Sequence, residues 1–220
     1  MTGLVVLRPE PGASRTMARA RGMGLEAIAV PLFEIQPLAA VLPAGGFDAL
    51  LLTSANAARM LDGRCRELPV HAVGAATARA AEAAGYAVAS RGTGGVQALL
   101  SDLPPHLRLL HPCGEDRIAV AARQPVTAIP IYRSAMLPAP PLAVLEGQVA
   151  LVHSLRAGAR LAELADAQQL DRGRIGVAAI SPAAAAAAGP GWRRVAAAAE
   201  PADSVLLPLA ARLCHDGGAG

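Results

Sequence analysis

The sequence predicts an α/β protein of two similar lobes, each a parallel sheet flanked by helices, joined by a two-stranded hinge with one lobe inserted in the other. Three observations carry this. Apolar runs of strand length alternate with Ala-rich helical stretches. One strand–Ser–helix pattern is written twice. Two extended, Pro-bearing segments, Val30–Leu38 and Ile131–Pro138, stand at matching places in the two copies. Strands alternating with helices imply parallel sheets covered on both faces.

Taken in order, Leu4–Pro9 reads as a strand stopped by X-Pro, followed by a helix and a strand over Ala27–Val30. Phe47–Ser54 is an apolar strand ending in Ser and running directly into an Ala-rich helix. His71–Ala78 is a strand, a tight turn and a small-residue helix, with a short strand at Ala87–Ala89 and a closing helix at Val96–Leu103. The pattern then restarts. Leu107–Pro112 is again a strand stopped by X-Pro, leading on to a strand over Val126–Ile131. Gly147–Ser154 repeats Phe47–Ser54, so that Leu51, Ser54, Ala57 and Leu61 recur as Leu151, Ser154, Ala157 and Leu161. Ala178–Ala185 repeats His71–Ala78, followed by a strand at Val195–Ala197 and a helix at Ser204–Leu213. The Ala183–Ala188 run reads as a tightly packed helix.

The Pro-bearing segments favour an inserted lobe, 38–132, set into a discontinuous lobe of 1–37 plus 133–220. Two sequential lobes with a break near 106 are the alternative. The terminal Gly217–Gly220 stretch predicts an unordered tail.

Composition excludes several functions. Every one of the 20 basic residues is Arg, so no Schiff base can form on a lysine. No Arg cluster is interleaved with aromatics, which make up only 2% of the chain, so nucleic acid is not an expected partner. The three cysteines, Cys65, Cys113 and Cys214, are odd in number and far apart, against a disulfide framework or a CxxC metal site. No apolar run reaches membrane-spanning length, and the short N-terminal apolar stretch meets Arg8 and Pro9, unlike a signal peptide. A cytoplasmic protein without a membrane partner is expected. Gly92-Thr-Gly-Gly95 lacks the Lys-Ser/Thr of a phosphate loop, and neither GxGxxG nor GxSxG occurs. The histidines lack metal-ligand spacing, and His71, His106, His111 and His153 read as structural or surface residues.

In open parallel sheets, ligands collect at the carboxyl ends of the strands, above the helix N-termini. Those ends carry Arg8, Thr53, Ser54, Gly74, Gly114, Ser154 and Ser181. A strand, then Ser or Gly, then a helix start aims N–H groups and a hydroxyl at one point, which suits an anion. The plainer reading makes Ser54, Ser154 and Ser181 helix N-caps. Tyr132 is one of only two tyrosines and falls at the predicted hinge beside Arg133. Its phenol is a candidate proton donor, or else packs there with its hydroxyl in water.

These motifs together resemble the uroporphyrinogen-III synthase family over nearly the whole chain. The matching pieces are Leu7-Arg8-Pro9, Pro31-Leu-Phe-Glu-Ile35, Phe47–Asn56, Val73-Gly-Ala-Ala-Thr-Ala78, Gly85-Tyr86, Pro112-Cys-Gly114, Ile131-Tyr-Arg133, His153-Ser154 and Ala179-Ile-Ser-Pro182. The resemblance implies two α/β lobes joined by a two-stranded ladder, one lobe inserted in the other. It implies closure of the linear tetrapyrrole hydroxymethylbilane to uroporphyrinogen III, with loss of water and inversion of ring D, and with neither cofactor nor metal. Tyr132 matches the tyrosine proposed to assist departure of hydroxide. Thr77 matches a threonine thought to face the cleft, Thr53, Ser54 and Asn56 match strand-end contacts, and Gly114 and Arg117 match the glycine and basic residue after their strand. Some members carry Thr-Thr where this chain has Ala183 and Ala184, so no hydroxyl role is carried over there. A monomer with a polycarboxylate small-molecule substrate is expected. A non-catalytic polyanion- or tetrapyrrole-binding paralogue is the competing class, and a flavodoxin-like FMN protein a third.

Overall fold

A computed structural model describes residues 2–117 and 119–215, so the expected Gly217–Gly220 tail lies outside the described residues. The chain divides into two compact units, Met1–Glu34 with Ala135–Gly220, and Ile35–Ser134. In chain order come first β1 (Leu4–Val6), α1 (Gly12–Gly22), β2 (Ala27–Ala29) and β3 (Phe33–Pro37), which crosses the unit boundary. Next come β4 (Ala49–Leu52), α2 (Ala55–Met60), β5 (Val70–Val73), α3 (Ala75–Ala83), β6 (Val88–Gly92), α4 (Gly95–Ser101), β7 (Leu109–Gly114) and β8 (Val126–Met136). The last segment holds β9 (Val149–Val152), α5 (Leu155–Ala167), β10 (Gly176–Ala179), α6 (Pro182–Ala187), β11 (Arg194–Ala197) and α7 (Asp203–His215).

The first unit is built on a five-stranded sheet of order β11-β10-β9-β1-β2, parallel throughout. Its strands are continuous apolar runs because both faces are covered. Val5, Leu7, Ala150 and Val152 pack with Leu161 and Leu164 of α5 and Ala184 of α6. Leu4, Val6, Val149 and Leu151 point the other way, onto Ala13 and Ala20 of α1 and Leu206, Leu207 and Ala210 of α7. A Cβ on Gly158 would stand 2.5 Å from the Ala184 carbonyl oxygen, so this glycine sets how closely α5 meets α6.

The second unit is a six-stranded sheet of order β3-β8-β7-β4-β5-β6. Strands β4 to β8 pair in parallel. β3 runs antiparallel along β8, as the Leu38 N–H to Ile131 C=O bond (2.9 Å) and the Leu137 N–H to Leu32 C=O bond (3.0 Å) require. Leu50 and Leu52 pack beneath the alanines of α2 and α3, whereas Ala49 and Leu51 face Leu99 and Leu100 of α4. With Ala in the contact face, these helices lie close to the sheet without bulky aromatics.

Two strands run further than expected. The strand expected to stop at Pro112 runs on to Gly114, and the strand expected over Val126–Ile131, through Pro130, continues to Met136. Pairing of β7 with β4 ends at Leu110, so the missing N–H of Pro112 breaks no bond on that side. Pro130 stands opposite Cys113, where the β7–β8 register shifts before Gly114 meets Tyr132. Prolines stop a strand only where the ladder needs their donor.

Candidate functional site

Expected site residues of the second unit fall at the carboxyl ends of β4, β5 and β7 and on β8. Just past β4, Thr53 Oγ1 lies 3.1 Å from Nε2 of His111 on β7. His111 is 2% exposed, and burial, with Arg117 nearby, pulls its imidazole down to about 4, so it is neutral near pH 7. Ser54 caps α2, its hydroxyl accepting the Asn56 N–H at 3.1 Å, while Asn56 Oδ1 accepts from Arg59 at 3.2 Å. Gly74 turns β5 into α3 at φ +83°, a left-handed conformation that favours glycine. Thr77 is buried in the first turn of α3, at 5% exposure, and Arg117 is exposed beyond β7.

Gly114 and Tyr132 form the most constrained pair in this unit. The β7–β8 register shift sets them opposite each other, and the Glu115 N–H fixes the Tyr132 carbonyl at 2.9 Å. A Cβ on Gly114 would lie 3.0 Å from Cζ, 3.1 Å from Cε2 and 3.1 Å from the hydroxyl oxygen of Tyr132. The ring therefore occupies the space of the absent side chain. Among the described residues, the Tyr132 hydroxyl takes no hydrogen-bond partner.

In the first unit, Ser154 and Ser181 cap α5 and α6, accepting the Ala157 N–H at 3.1 Å and the Ala184 N–H at 3.3 Å. Each hydroxyl keeps its own proton for a further acceptor. Arg8 follows β1 and leans on Asp203, the first residue of α7, with Nη1 3.5 Å from Oδ1. Asp203 also takes His153 Nε2 at 3.1 Å, Thr16 Oγ1 at 2.9 Å and Arg19 Nη1 at 3.1 Å. Burial alone would push this carboxyl up; the His153, Thr16 and Arg8 contacts hold it well below the usual range, and it stays ionised. Burial lowers His153 against the pull of Asp203, leaving a neutral ring that donates its Nε2 proton to the carboxylate.

Sequence reasoning read His111 and His153 as structural or surface residues and did not single out Asp203. The two histidines lack any motif spacing, and the one signal at Asp203 is an acidic residue at a helix start after a strand. Among the described residues, no group of three or more His, Cys, Asp or Glu stands ready to hold a metal ion, and no helix is long and apolar enough to cross a membrane.

The fold has counterparts among solved structures. Uroporphyrinogen-III synthetase from Helicobacter pylori superposes with a TM-score of 0.66 at 16% identity, covering 97% of this chain and 100% of that one. A mutant uroporphyrinogen III synthase from Thermus thermophilus gives 0.52 at 19% identity, over 96% of this chain and 99% of the other. At these identities the likeness is one of fold. No curated protein sequence matches significantly. A family model described as uroporphyrinogen-III synthase HemD matches residues 14–207, most of the chain and both units. The chain therefore belongs to the uroporphyrinogen-III synthase family.

Proposed function

We propose that the protein closes hydroxymethylbilane to uroporphyrinogen III, with loss of water and inversion of ring D, as a step of tetrapyrrole biosynthesis. The family match over residues 14–207 carries this reading. The reaction is a cyclising dehydration that calls for no cofactor.

The residues present suit the chemistry. Tyr132 donates its phenolic proton to the hydroxyl, which departs as water and leaves an azafulvene cation on the substrate and a phenolate on Tyr132. Ring D attacks that cation through its substituted carbon, giving a spiro intermediate. Fragmentation and reclosure at the free carbon of ring D release a proton, which returns to the phenolate, so the enzyme ends as it began. Closure without inversion is facile without a catalyst, so the protein acts chiefly by imposing a conformation on a flexible substrate. Arg8, Thr53, Ser54, Asn56, Gly74, Thr77, Gly114, Arg117, Ser154 and Ser181 are taken to hold or border the substrate, whose carboxylate arms suit guanidinium, hydroxyl and backbone donors. We take the protein to be a cytoplasmic monomer with neither nucleic-acid nor membrane partners.

The test is to supply hydroxymethylbilane and separate the product isomers. Type III isomer above background is expected, and Tyr132→Phe lowers its rate while leaving the fold intact. Type I isomer alone at the background rate overturns the reading. Tight tetrapyrrole binding in that case identifies a non-catalytic paralogue, a reading favoured by the alanines at 183 and 184.

A further inference from the structure

Asp203 is the one acidic residue among the buried polar residues of the described chain, its side chain 5% exposed. A buried carboxylate is costly unless its oxygens are matched by donors. Here they are matched from three elements, Thr16 and Arg19 on α1, His153 past β9 and Arg8 past β1, while the carboxylate itself stands at the start of α7. Two strand ends and two helices are thus tied to one point on the face where parallel sheets bind ligands.

The arrangement fixes Arg8 in a particular way. Its guanidinium lies over Gly12, where a Cβ would come within 2.4 Å of Nε and 2.8 Å of Cζ. Its Nη1 is turned to Asp203 and to Thr16 Oγ1, each at 3.5 Å. The opposite Nε–Nη2 edge meets no acceptor among the described residues, and the side chain is 30% exposed. That edge is the planar fork that takes a carboxylate in bidentate fashion. The start of α1 is not a rival donor. The Gly12 and Ala13 N–H groups are bound to the Pro9 carbonyl, at 3.0 and 3.1 Å, and the Ser14 N–H to Glu10 at 3.1 Å.

We propose that Asp203 is a positioning residue that turns the Nε–Nη2 fork of Arg8 toward a carboxylate arm of the substrate, with His153 and Thr16 fixing Asp203 itself. This rests on the function proposed above. Asp203→Asn keeps the shape and removes the charge. It raises KM for hydroxymethylbilane about tenfold with kcat nearly unchanged, the scale of one charge-assisted hydrogen bond. Arg8→Gln does the same, and the double variant is no worse than Arg8→Gln alone. Arg8→Lys, which keeps the charge but not the fork, also raises KM; at a partly exposed site it gives a folded protein even if Asp203→Asn does not. A wild-type KM in Arg8→Lys, or an undiminished Asp203→Asn effect in the Arg8→Gln background, overturns the proposal. Binding of uroporphyrin III, a stable polycarboxylate, reads the same fork without turnover. If the wild type makes no type III isomer yet Asp203→Asn and Arg8→Lys weaken that porphyrin about tenfold, the function reading falls and the role of Asp203 stands.

Discussion

Gly114→Ala isolates the placement of the Tyr132 phenol from its chemistry. Gly114 has no left-handed φ, so alanine meets no backbone objection there; only the tyrosine ring objects. The new Cβ would lie 3.0 Å from Cζ, whereas carbon atoms rest at about 3.5–4.0 Å, so the ring gives way by roughly 0.5 Å. It cannot move by shifting the strand freely, because the Glu115 N–H holds the Tyr132 carbonyl at 2.9 Å and Ile131 beside it is fully buried. The displacement therefore goes into the ring and its hydroxyl. A reacting group misplaced by about 1 Å costs on the order of 100-fold, so half of that predicts about a tenfold fall in kcat, or ~1.4 kcal/mol in the barrier. Stability should barely change, since an overpacking cost of about 1 kcal/mol is offset by about 0.4–1 kcal/mol from a stiffer unfolded chain. The assay is the initial rate of type III isomer from hydroxymethylbilane, in the Gly114→Ala, Tyr132→Phe and doubly substituted proteins. With no hydroxyl left to misplace, the alanine should have little effect on the Phe background. A wild-type kcat for Gly114→Ala, or an equal loss on both backgrounds, refutes the reasoning.

Three further outcomes follow from the packing and the buried histidines. Ser154→Ala removes the cap of the 13-residue helix α5 and should cost about 1 kcal/mol, read as a lowered urea midpoint. Gly158→Ala drives a Cβ to 2.5 Å from a backbone oxygen of α6, so it should cost at least about 1–3 kcal/mol in the same measurement, and a neutral result would mean the helices separate freely. His111 is held down to about 4 from the ordinary 6.5. Its contribution is therefore complete above pH 6.5 and is lost as pH falls toward 4, by up to roughly 3 kcal/mol. His111→Gln should flatten the fall in stability over that window; His71 and His153, lowered chiefly by burial, retain a slope of the same sign.

The alternation of strands and helices was legible because it is local: each apolar run, each Ser before an Ala-rich helix and each period of helical burial lies within about a dozen residues. The ends of β7 and β8 were not, because how far a strand runs past Pro112, or on beyond Ile131, depends on neighbours remote in sequence. The same limit governs the candidate site. Ser54, Ser154 and Ser181 could be placed at strand ends from their own surroundings, and they cap helices there. The partners of Thr53 and His153 lie 58 and 50 residues away, and that of Thr16 lies 187 away. No spacing rule joins them. Gly114 was identified as a site residue for its own sake, but its geometry speaks through Tyr132, whose ring takes up the room a side chain would need.

The two units carry different polar surroundings, and the difference has a physical reason. In each unit a glycine clears space for one long side chain: Gly12 beneath the Arg8 guanidinium, Gly114 beneath the Tyr132 ring. Around Arg8 the surroundings are ionised, with a buried carboxylate bound by two arginines, a hydroxyl and a neutral imidazole. Such a fixed cation suits an anchor for carboxylate, because its charge does not vary with pH over the working range. Around β4 and β7 the polar pair is neutral, the part-buried Thr53 with an uncharged, buried His111. A phenol that releases a proton and recovers it, as proposed for Tyr132, is better served without a buried carboxylate beside it, which would oppose formation of the phenolate. On the proposed reading, a permanent charge and a transferable proton thus belong to different units, each with its own polar surroundings.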